Sequence, residues 1–227
     1  KWGIMGIGDC ADKVMAPAMT NSDEHELFAV MRRDPILAEE LGRKHGASKI
    51  YTNLEDLLND ESIDAVYVAT PVYLHKEQTI MAANYGKHVL CEKPMAMNAS
   101  EGRDMVKACY ENQVKLMLCY YQRFNRRHQK IKELLEAGEI GQVTAVRITN
   151  CTYKPAGTDE WRQQPDISGG GNLMDVGSHC VDLLRYLFGE ISSVSSLVDT
   201  LAFDYPVDDT APMLLELSGS IPVSYTH

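Results

Sequence analysis

The sequence predicts an α/β protein in which a doubly wound parallel sheet precedes a smaller α+β domain with an open, mostly antiparallel sheet. In the first half, short apolar stretches alternate with stretches of helical length, a pattern typical of parallel sheets covered by helices. A glycine-rich turn follows the first apolar stretch directly. After about residue 121 the alternation gives way to longer helical patterns and half-polar strands.

The first half contains five predicted strands. Their apolar and β-branched residues suit a sheet that is buried on both faces. In chain order they are "KWGIMGI", "HELFAVMR", "DAVYVAT", "KHVLC" and "VKLMLCY". The predicted helices are "KVMAPAM", "PILAEELGRKHG", "NLEDLLND", "YLHKEQTIMAANYG" and "NASEGRDMVKACYENQ". Pro35 and Gly46 are the expected first and closing residues of the second helix.

The second half begins with a predicted helix, "NRRHQKIKELLEAGEIG", that ends at Gly138. The next segment, "QVTAVRITNCTY", alternates like a strand with one exposed face. The glycine run "SGGGN" precedes a long helical pattern, "LMDVGSHCVDLLRYLFG", and two antiparallel strands follow in "SSVSSLVDTLAF" and "TAPMLLELSG". We therefore predict a first, α/β domain at 1–121 and a second, α+β domain at 122–227. The tail from Ile221 matches no pattern that we recognise.

Composition excludes several classes of partner. The formal net charge of −10 gives no general attraction to nucleic acid or anionic membranes. No apolar run reaches the ~18 residues of a membrane span, and the first residues are too glycine-rich for a signal peptide. The six cysteines show no CxxC spacing, which favours reduced thiols in a cytoplasmic protein.

The glycine turn "GIGDCA" matches the dinucleotide fingerprint GxGxxG/A. Gly6 permits the tight turn, Gly8 lets the backbone approach a pyrophosphate, and Ala11 keeps helix and strand close. Helix N-terminal amides then bind the phosphates, so Asp9 and Cys10 join the predicted cofactor site. A methyltransferase-type use of a similar turn is the main alternative.

Two arginines follow the second strand, where NAD-specific sites usually carry an acid. Arg32 and Arg33 suit a 2′-phosphate. The sequence therefore predicts NADP as cofactor, with NAD possible. The alternative interpretation is a pair of solvated surface arginines.

Three segments, "ATPVYLH", "GKHVLCEKPMAMN" and "GGGNLMDVGSHCVDLLRYLFGE", resemble the glucose–fructose oxidoreductase / inositol dehydrogenase / MocA (Gfo/Idh/MocA) family. The resemblance extends from the first residues to about Ser218. Because relatives continue through more strands, it also implies that the second sheet is incomplete. It implies a Rossmann-type domain followed by an α+β domain whose open sheet carries the substrate face. It also implies NAD(P)-dependent oxidation or reduction at a hydroxyl of a sugar, cyclitol or related diol.

The resemblance assigns site residues one by one. Catalysis falls on Lys93, Asp175 and His179, with no metal. Cofactor contacts fall on Thr70, Pro71, His75, Glu92 and Lys93. Substrate contacts fall on Tyr121, Arg123, Trp161 and Arg162. One departure is "YQRF", where relatives often read "NRRF", and it leaves the identity of the substrate open.

The residues themselves agree with these assignments. Asp175 and His179 are spaced i, i+4, so they share one helical face. Lys93 stands before a proline, at the carboxyl end of a parallel strand, where open sheets bind ligands. The expected reaction is hydride transfer, with His179 as general acid/base and Lys93 stabilising negative charge on the substrate oxygen. Asp175 would orient His179 or the substrate hydroxyls.

Other functions on the same fold stay open at this point. One is a non-catalytic dinucleotide sensor or corepressor, and another is a structural assembly subunit. A third is an NAD-dependent eliminating glycosidase. In each case we expect a homodimer or homotetramer formed through the second-domain sheet, with Val143 and Ala145 contributing an apolar stripe to the interface.

Overall fold

A computed structural model describes residues 1–153, 155, 157, 161–217 and 221–226. The chain forms two compact units, Lys1–Cys119 and Tyr120–His227. Among the described residues, no helix is both long enough and apolar enough to cross a bilayer.

The first unit is built on a six-stranded sheet. Its strands are β1 Trp2–Met5, β2 Leu27–Met31, β3 Lys49–Tyr51, β4 Ala65–Val68, β5 His88–Cys91 and β6 Leu116–Leu118. They lie in the order β3-β2-β1-β4-β5-β6, and every adjacent pair is parallel. The predicted parallel sheet is thus confirmed. The chain order reverses between β1 and β4, which is where open α/β sheets bind ligands.

Helices connect these strands. They are α1 Ala16–Thr20, α2 Pro35–His45, α3 Leu54–Asn59, α4 His75–Asn84 and α5 Ala99–Glu111, and a π-helical turn, Ala11–Met15, precedes α1. Asn98 caps α5 by accepting a hydrogen bond from the Glu101 amide, and Gly46 ends α2 in the left-handed conformation. Both caps agree with the sequence signals.

The core of the first unit has two clusters, one on each face of the sheet. Neighbouring strand residues point to opposite faces, and Ile4 and Met5 accordingly belong to different clusters. Strand β3 was missed by the sequence analysis. It has only three residues and begins at the exposed Lys49, so it shows no alternation long enough to recognise.

The second unit has a four-stranded mixed sheet in the order β7-β10-β9-β8. Its strands are β7 Val146–Thr149, β8 Ile191–Ser196, β9 Met213–Leu217 and β10 Ile221–Thr226. Its helices are α6 Arg126–Glu136, α7 Pro165–Ser168 and α8 Ser178–Phe188, with a second π-helical turn, Leu173–Gly177, leading into α8. Leu184 of α8 packs in one apolar cluster with Leu215 and Tyr225 of the sheet, so this sheet has one core-facing side.

Two segments of the second unit differ from the sequence analysis. The tail from Ile221 is an interior strand, β10, which pairs parallel with β7 and antiparallel with β9. The apolar stripe of Val143 and Ala145 lies outside β7, which begins at Val146. The apolar residues of β7 pack against the core cluster, so its open face carries Arg147 and Thr149.

Candidate functional site

The glycine turn after β1 has two differently constrained glycines. Gly6 has φ +80°, and a Cβ on it would lie 2.6 Å from Cγ2 of Thr70, so both conformation and packing require glycine. A Cβ on Gly8 would meet no protein atom within 4 Å. Packing within the protein therefore does not explain Gly8, whereas close approach of a pyrophosphate would. The turn thus fits a bound dinucleotide.

One of the residues after β2 contacts the same turn. Nη1 of Arg32 donates a hydrogen bond to the carbonyl oxygen of Ile7 at 2.6 Å, so this guanidinium lies beside the glycine turn. Arg33 is exposed. The carboxylate of Asp34 accepts hydrogen bonds from two amides in the first turn of α2. Asp34 therefore serves as a helix cap.

Glu92, which follows β5, is held by three donors in the first unit. Its carboxylate accepts hydrogen bonds from the hydroxyl of Tyr67, from Sγ of Cys10 at 3.4 Å and from the Lys93 amide at 3.1 Å. Burial raises the pKa of Tyr67, and the nearby charge of Glu92 raises it further. Tyr67 consequently stays protonated and remains a donor. The structure thus brings Glu92 together with Cys10 of the glycine turn.

The imidazole of His75 lies between two loops at the carboxyl ends of β4 and β5. Its Nε2 is 2.8 Å from the carbonyl oxygen of Thr70, and its Nδ1 is 2.9 Å from that of Pro94. The side chain is buried, and burial lowers its pKa, although the two carbonyls oppose this shift. These contacts show His75 joining the segments around Thr70 and Lys93. The hydroxyl of Thr70 donates to Gln78 of α4.

In the second unit, the segment that precedes α8 carries Asp175 in its π-helical turn. Oδ2 of Asp175 lies 3.3 Å from Nε of Arg162, and Arg162 lies over the ring of Trp161 at 4.4 Å. Asp175 and Arg162, assigned to different roles by the sequence, therefore form an ion pair. Trp161 stacks on the same guanidinium.

His179 lies in the first turn of α8, four residues after Asp175. Its ring makes edge-on contacts with Tyr120 and Tyr121, with centroid separations of 5.7 and 5.0 Å. Two aromatic rings thus restrict the orientation of the imidazole. Tyr121, expected to contact substrate, is one of them.

Arg123, expected to contact substrate, pairs with an acid of α8. Its Nε and Nη2 donate to both carboxylate oxygens of Asp182, and Asp182 is buried on α8. The guanidinium also lies over the ring of Tyr186. Arg123 thus joins the turn Tyr121–Phe124 to the helix of His179.

Sequence reasoning missed Tyr67 and Asp182. Tyr67 is the one polar side chain of the strand "AVYV", and Asp182 is a buried acid on a largely apolar helix. Both signals were present, because a polar group inside an apolar pattern needs a partner. The partners, Glu92 and Arg123, are far away in the sequence.

The fold and the glycine turn define the first unit as a Rossmann-type dinucleotide-binding domain. Residues 1–120 match the family model described as an oxidoreductase family with an NAD-binding Rossmann fold. Residues 128–226 match the model of the Gfo/Idh/MocA C-terminal domain. The chain belongs to the Gfo/Idh/MocA oxidoreductase family. The family match continues through β10, beyond the limit near Ser218 that the sequence analysis gave.

Several relatives carry named activities. The chain is 34% identical to mouse trans-1,2-dihydrobenzene-1,2-diol dehydrogenase, with 100% of this chain and 67% of the relative covered. It is 33% identical to 1,5-anhydro-D-fructose reductase of Ensifer adhaerens, with 84% and 57% covered. An oxidoreductase of Formosa agariphila is 37% identical over 85% of this chain. The chain spans 62% of that relative's length.

Solved structures show the same fold. A levoglucosan dehydrogenase in complex with NADH and levoglucosan has a TM-score of 0.89 and 27% identity, covering 99% of this chain and 65% of that one. The WlbA dehydrogenase from Bordetella pertussis, in complex with NADH and UDP-GlcNAcA, has a TM-score of 0.91 and 31% identity, covering 99% and 69%.

Proposed function

We propose that this protein transfers a hydride between NADP(H) and a hydroxyl- or carbonyl-bearing carbon of a sugar, cyclitol or related diol. The observation that carries the proposal is the pair Asp175 and His179, four residues apart on the segment that opens α8. In the first unit of the same chain, Lys93 lies two residues after the end of β5. Relatives named for a cyclic diol and for an anhydro sugar support this class of substrate.

His179 is the proposed general acid/base for the hydroxyl proton, because an imidazole titrates near neutral pH. Tyr120 and Tyr121 contact its ring edge-on and would restrict its orientation during proton transfer. Asp175, paired with Arg162, is proposed to orient the imidazole or the substrate hydroxyls. Lys93 is proposed to donate a hydrogen bond to the substrate oxygen and to stabilise negative charge there.

The remaining assigned residues serve the cofactor in this proposal. A bound nicotinamide supplies or accepts the hydride. Gly6, Gly8 and the following helix hold the pyrophosphate, and Glu92 positions the cofactor and Lys93. His75, buried between two carbonyls, acts by holding the loops of Thr70 and Pro94 in place.

NADP is the proposed cofactor, with NAD the alternative. Guanidinium groups only donate hydrogen bonds, so Arg32 and Arg33 suit a 2′-phosphate better than a 2′-hydroxyl. Oδ1 of Asp34 caps α2, whereas Oδ2 accepting from a ribose hydroxyl would favour the NAD alternative. The position of Arg32 beside Ile7 places a positive charge at the dinucleotide turn, which supports the NADP proposal.

The second-unit sheet is proposed to form a homodimer through its open face. Leu214 of β9 points away from the core and is 66% exposed, and a symmetric dimer would bury it. Light scattering should show a dimer that Leu214→Asp converts to monomer. Val106→Asp, at an exposed site on α5, is the matched control. A wild-type monomer at micromolar concentration would contradict this part of the proposal.

The main test is a substrate panel. Levoglucosan, 1,5-anhydro-D-fructose, a trans-dihydrodiol, inositols and aldoses would each be supplied with NADP(H) or NAD(H), and turnover followed at the nicotinamide absorbance band. We expect turnover with at least one member and a preference for NADP(H). Tight cofactor binding without any turnover would favour a dinucleotide sensor. Release of an aglycone from a glycoside would favour the eliminating glycosidase.

A further inference from the structure

Asp208, outside all predicted site residues, holds the start of the segment that carries Asp175. Its two carboxylate oxygens accept hydrogen bonds from the amides of Gly171 and Leu173, both at 2.8 Å. Its backbone carbonyl accepts a third from the amide of Asn172 at 3.1 Å. Three consecutive amides at a helix start are therefore satisfied by one residue that lies 35 to 37 positions away in the sequence.

The last glycine of the run before this segment, Gly171, is explained by the same contact. A Cβ on Gly171 would lie 1.9 Å from the carbonyl oxygen of Asp208 and 2.8 Å from its backbone nitrogen. No side chain could be accommodated while the Asp208 backbone stays in place. Gly171 is therefore needed for the two backbones to approach.

The other end of the π-helical turn is also fixed. A Cβ on Gly177 would lie 2.8 Å from Leu173 and 3.2 Å from the hydroxyl of Tyr225 on β10. The short stretch between these contacts contains Asp175, and His179 follows in the next turn. The path of this stretch is thus set by Asp208 at its start and by close packing on β10 near its end.

We propose that Asp208 is a positioning residue for Asp175 and His179, an inference that rests on the proposed oxidoreductase function. A carboxylate that accepts orphan amides at a helix start stabilises that start and fixes its direction. Small displacements of reacting groups lower rates strongly: about 1 Å can cost on the order of 10²-fold. Asp208 acts through the backbone of residues 171–173, without touching substrate.

The neighbouring Asp209 provides a matched control. Its carboxylate accepts hydrogen bonds from the amides of Leu201, Ala202 and Phe203 and from the hydroxyl of Thr210. Burial works against its charged form, but these hydrogen bonds prevail and lower the pKa of Asp209 to about 2. Asp209 therefore holds a loop, whereas Asp208 holds the helix of the site. Replacing either removes one negative charge from adjacent positions.

The test compares Asp208→Asn, Asp209→Asn and Gly171→Ala. Asparagine at 208 keeps an oxygen for one amide but presents an NH₂ group to the other. We expect kcat to fall about 10- to 100-fold in Asp208→Asn, with the Kd for NADP unchanged within twofold. Gly171→Ala disturbs the same contact without changing charge, so it should reproduce the loss. Asp209→Asn should lower Tm at least as much as Asp208→Asn does, but its kcat should stay within threefold of the wild-type value.

A second readout needs no substrate and separates this inference from the proposed function. The imidazole resonances of His179, assigned by comparison with His179→Gln, should shift in Asp208→Asn and Gly171→Ala but stay unchanged in Asp209→Asn. If all three variants lower Tm and leave both kcat and the His179 resonances unchanged, Asp208 is only structural. Equal effects of Asp208→Asn and Asp209→Asn on kcat and on the His179 resonances would also overturn the inference. Unshifted resonances count against Asp208 whether or not the wild type turns over any substrate.

Discussion

The hydroxyl of Tyr67 donates a hydrogen bond to the carboxylate of Glu92, and this bond joins β4 to the residue that precedes Lys93. Tyr67 is fully buried, so its hydroxyl has no access to water. The bond fixes the charged group that we propose to position the cofactor.

Tyr67→Phe should therefore lower both stability and activity. Loss of a donor to a charged acceptor costs about 1–3 kcal/mol, and kcat/KM should fall about tenfold, the equivalent of ~1.4 kcal/mol. Urea unfolding and steady-state kinetics measure the two effects. Tyr51→Phe is the matched control, because Tyr51 donates to Asp60 outside the proposed site. It should lose stability and keep kcat/KM; a similar activity loss in both variants would contradict the role of Tyr67.

The buried imidazole of His75 predicts a pH dependence of stability. Burial holds the pKa of His75 below its usual value, which is about 6.5 in an unfolded chain. The folded state therefore binds fewer protons than the unfolded state in this range. The stability contribution is fully present above about pH 6.5 and is lost as the pH falls through the folded pKa.

Urea unfolding between about pH 8 and pH 5 tests this pH dependence. The free energy of unfolding of the wild type should decline with acidification more steeply than that of His75→Gln. His25→Gln, at an exposed position, should keep the wild-type slope. Parallel curves for wild type and His75→Gln would show that His75 does not titrate in this way.

His179→Ala should remove most turnover while leaving cofactor affinity almost unchanged. General acid/base groups typically contribute ~10²–10⁴-fold to the rate. The measurements are kcat with the best substrate of the panel and the Kd for NADP by fluorescence titration. His25→Ala, at an exposed position of the first unit, should retain kcat. If kcat of His179→Ala stays within threefold of the wild-type value, another group transfers the proton.

Arg32→Ala and Arg33→Ala should each reduce the preference for NADP over NAD. A hydrogen bond to a charged group contributes about 1.5–3 kcal/mol, which corresponds to roughly 10- to 150-fold. Exposure of Arg33 should keep its effect near the lower limit. The measurement is kcat/KM for both cofactors at fixed ionic strength, with Arg43→Ala as control, since Arg43 pairs with Glu39 on α2. Equal kcat/KM values for NADP and NAD in the wild type would show that both arginines are only surface charges and do not select the cofactor.

Local patterns in the sequence determined the parallel sheet, the glycine turn after β1 and the spacing of Asp175 and His179. Each of these features depends on burial or on helix periodicity over a few neighbouring residues, and neighbouring residues are what a sequence pattern records. The short edge strand β3 and the interior strand β10 were missed. Pairing with β2 defines β3, and pairing with β7 and β9 defines β10.

Only the tertiary structure decided which polar groups support the proposed site. Three hydrogen-bonded pairs are far apart in the sequence: Tyr67 and Glu92 by 25 positions, Arg123 and Asp182 by 59, and Asp208 and Gly171 by 37. A hydrogen bond depends on atoms a few ångströms apart and has no periodicity along the chain. The sequence therefore determines where the reactive side chains stand in each element. The folded units determine how those side chains are held.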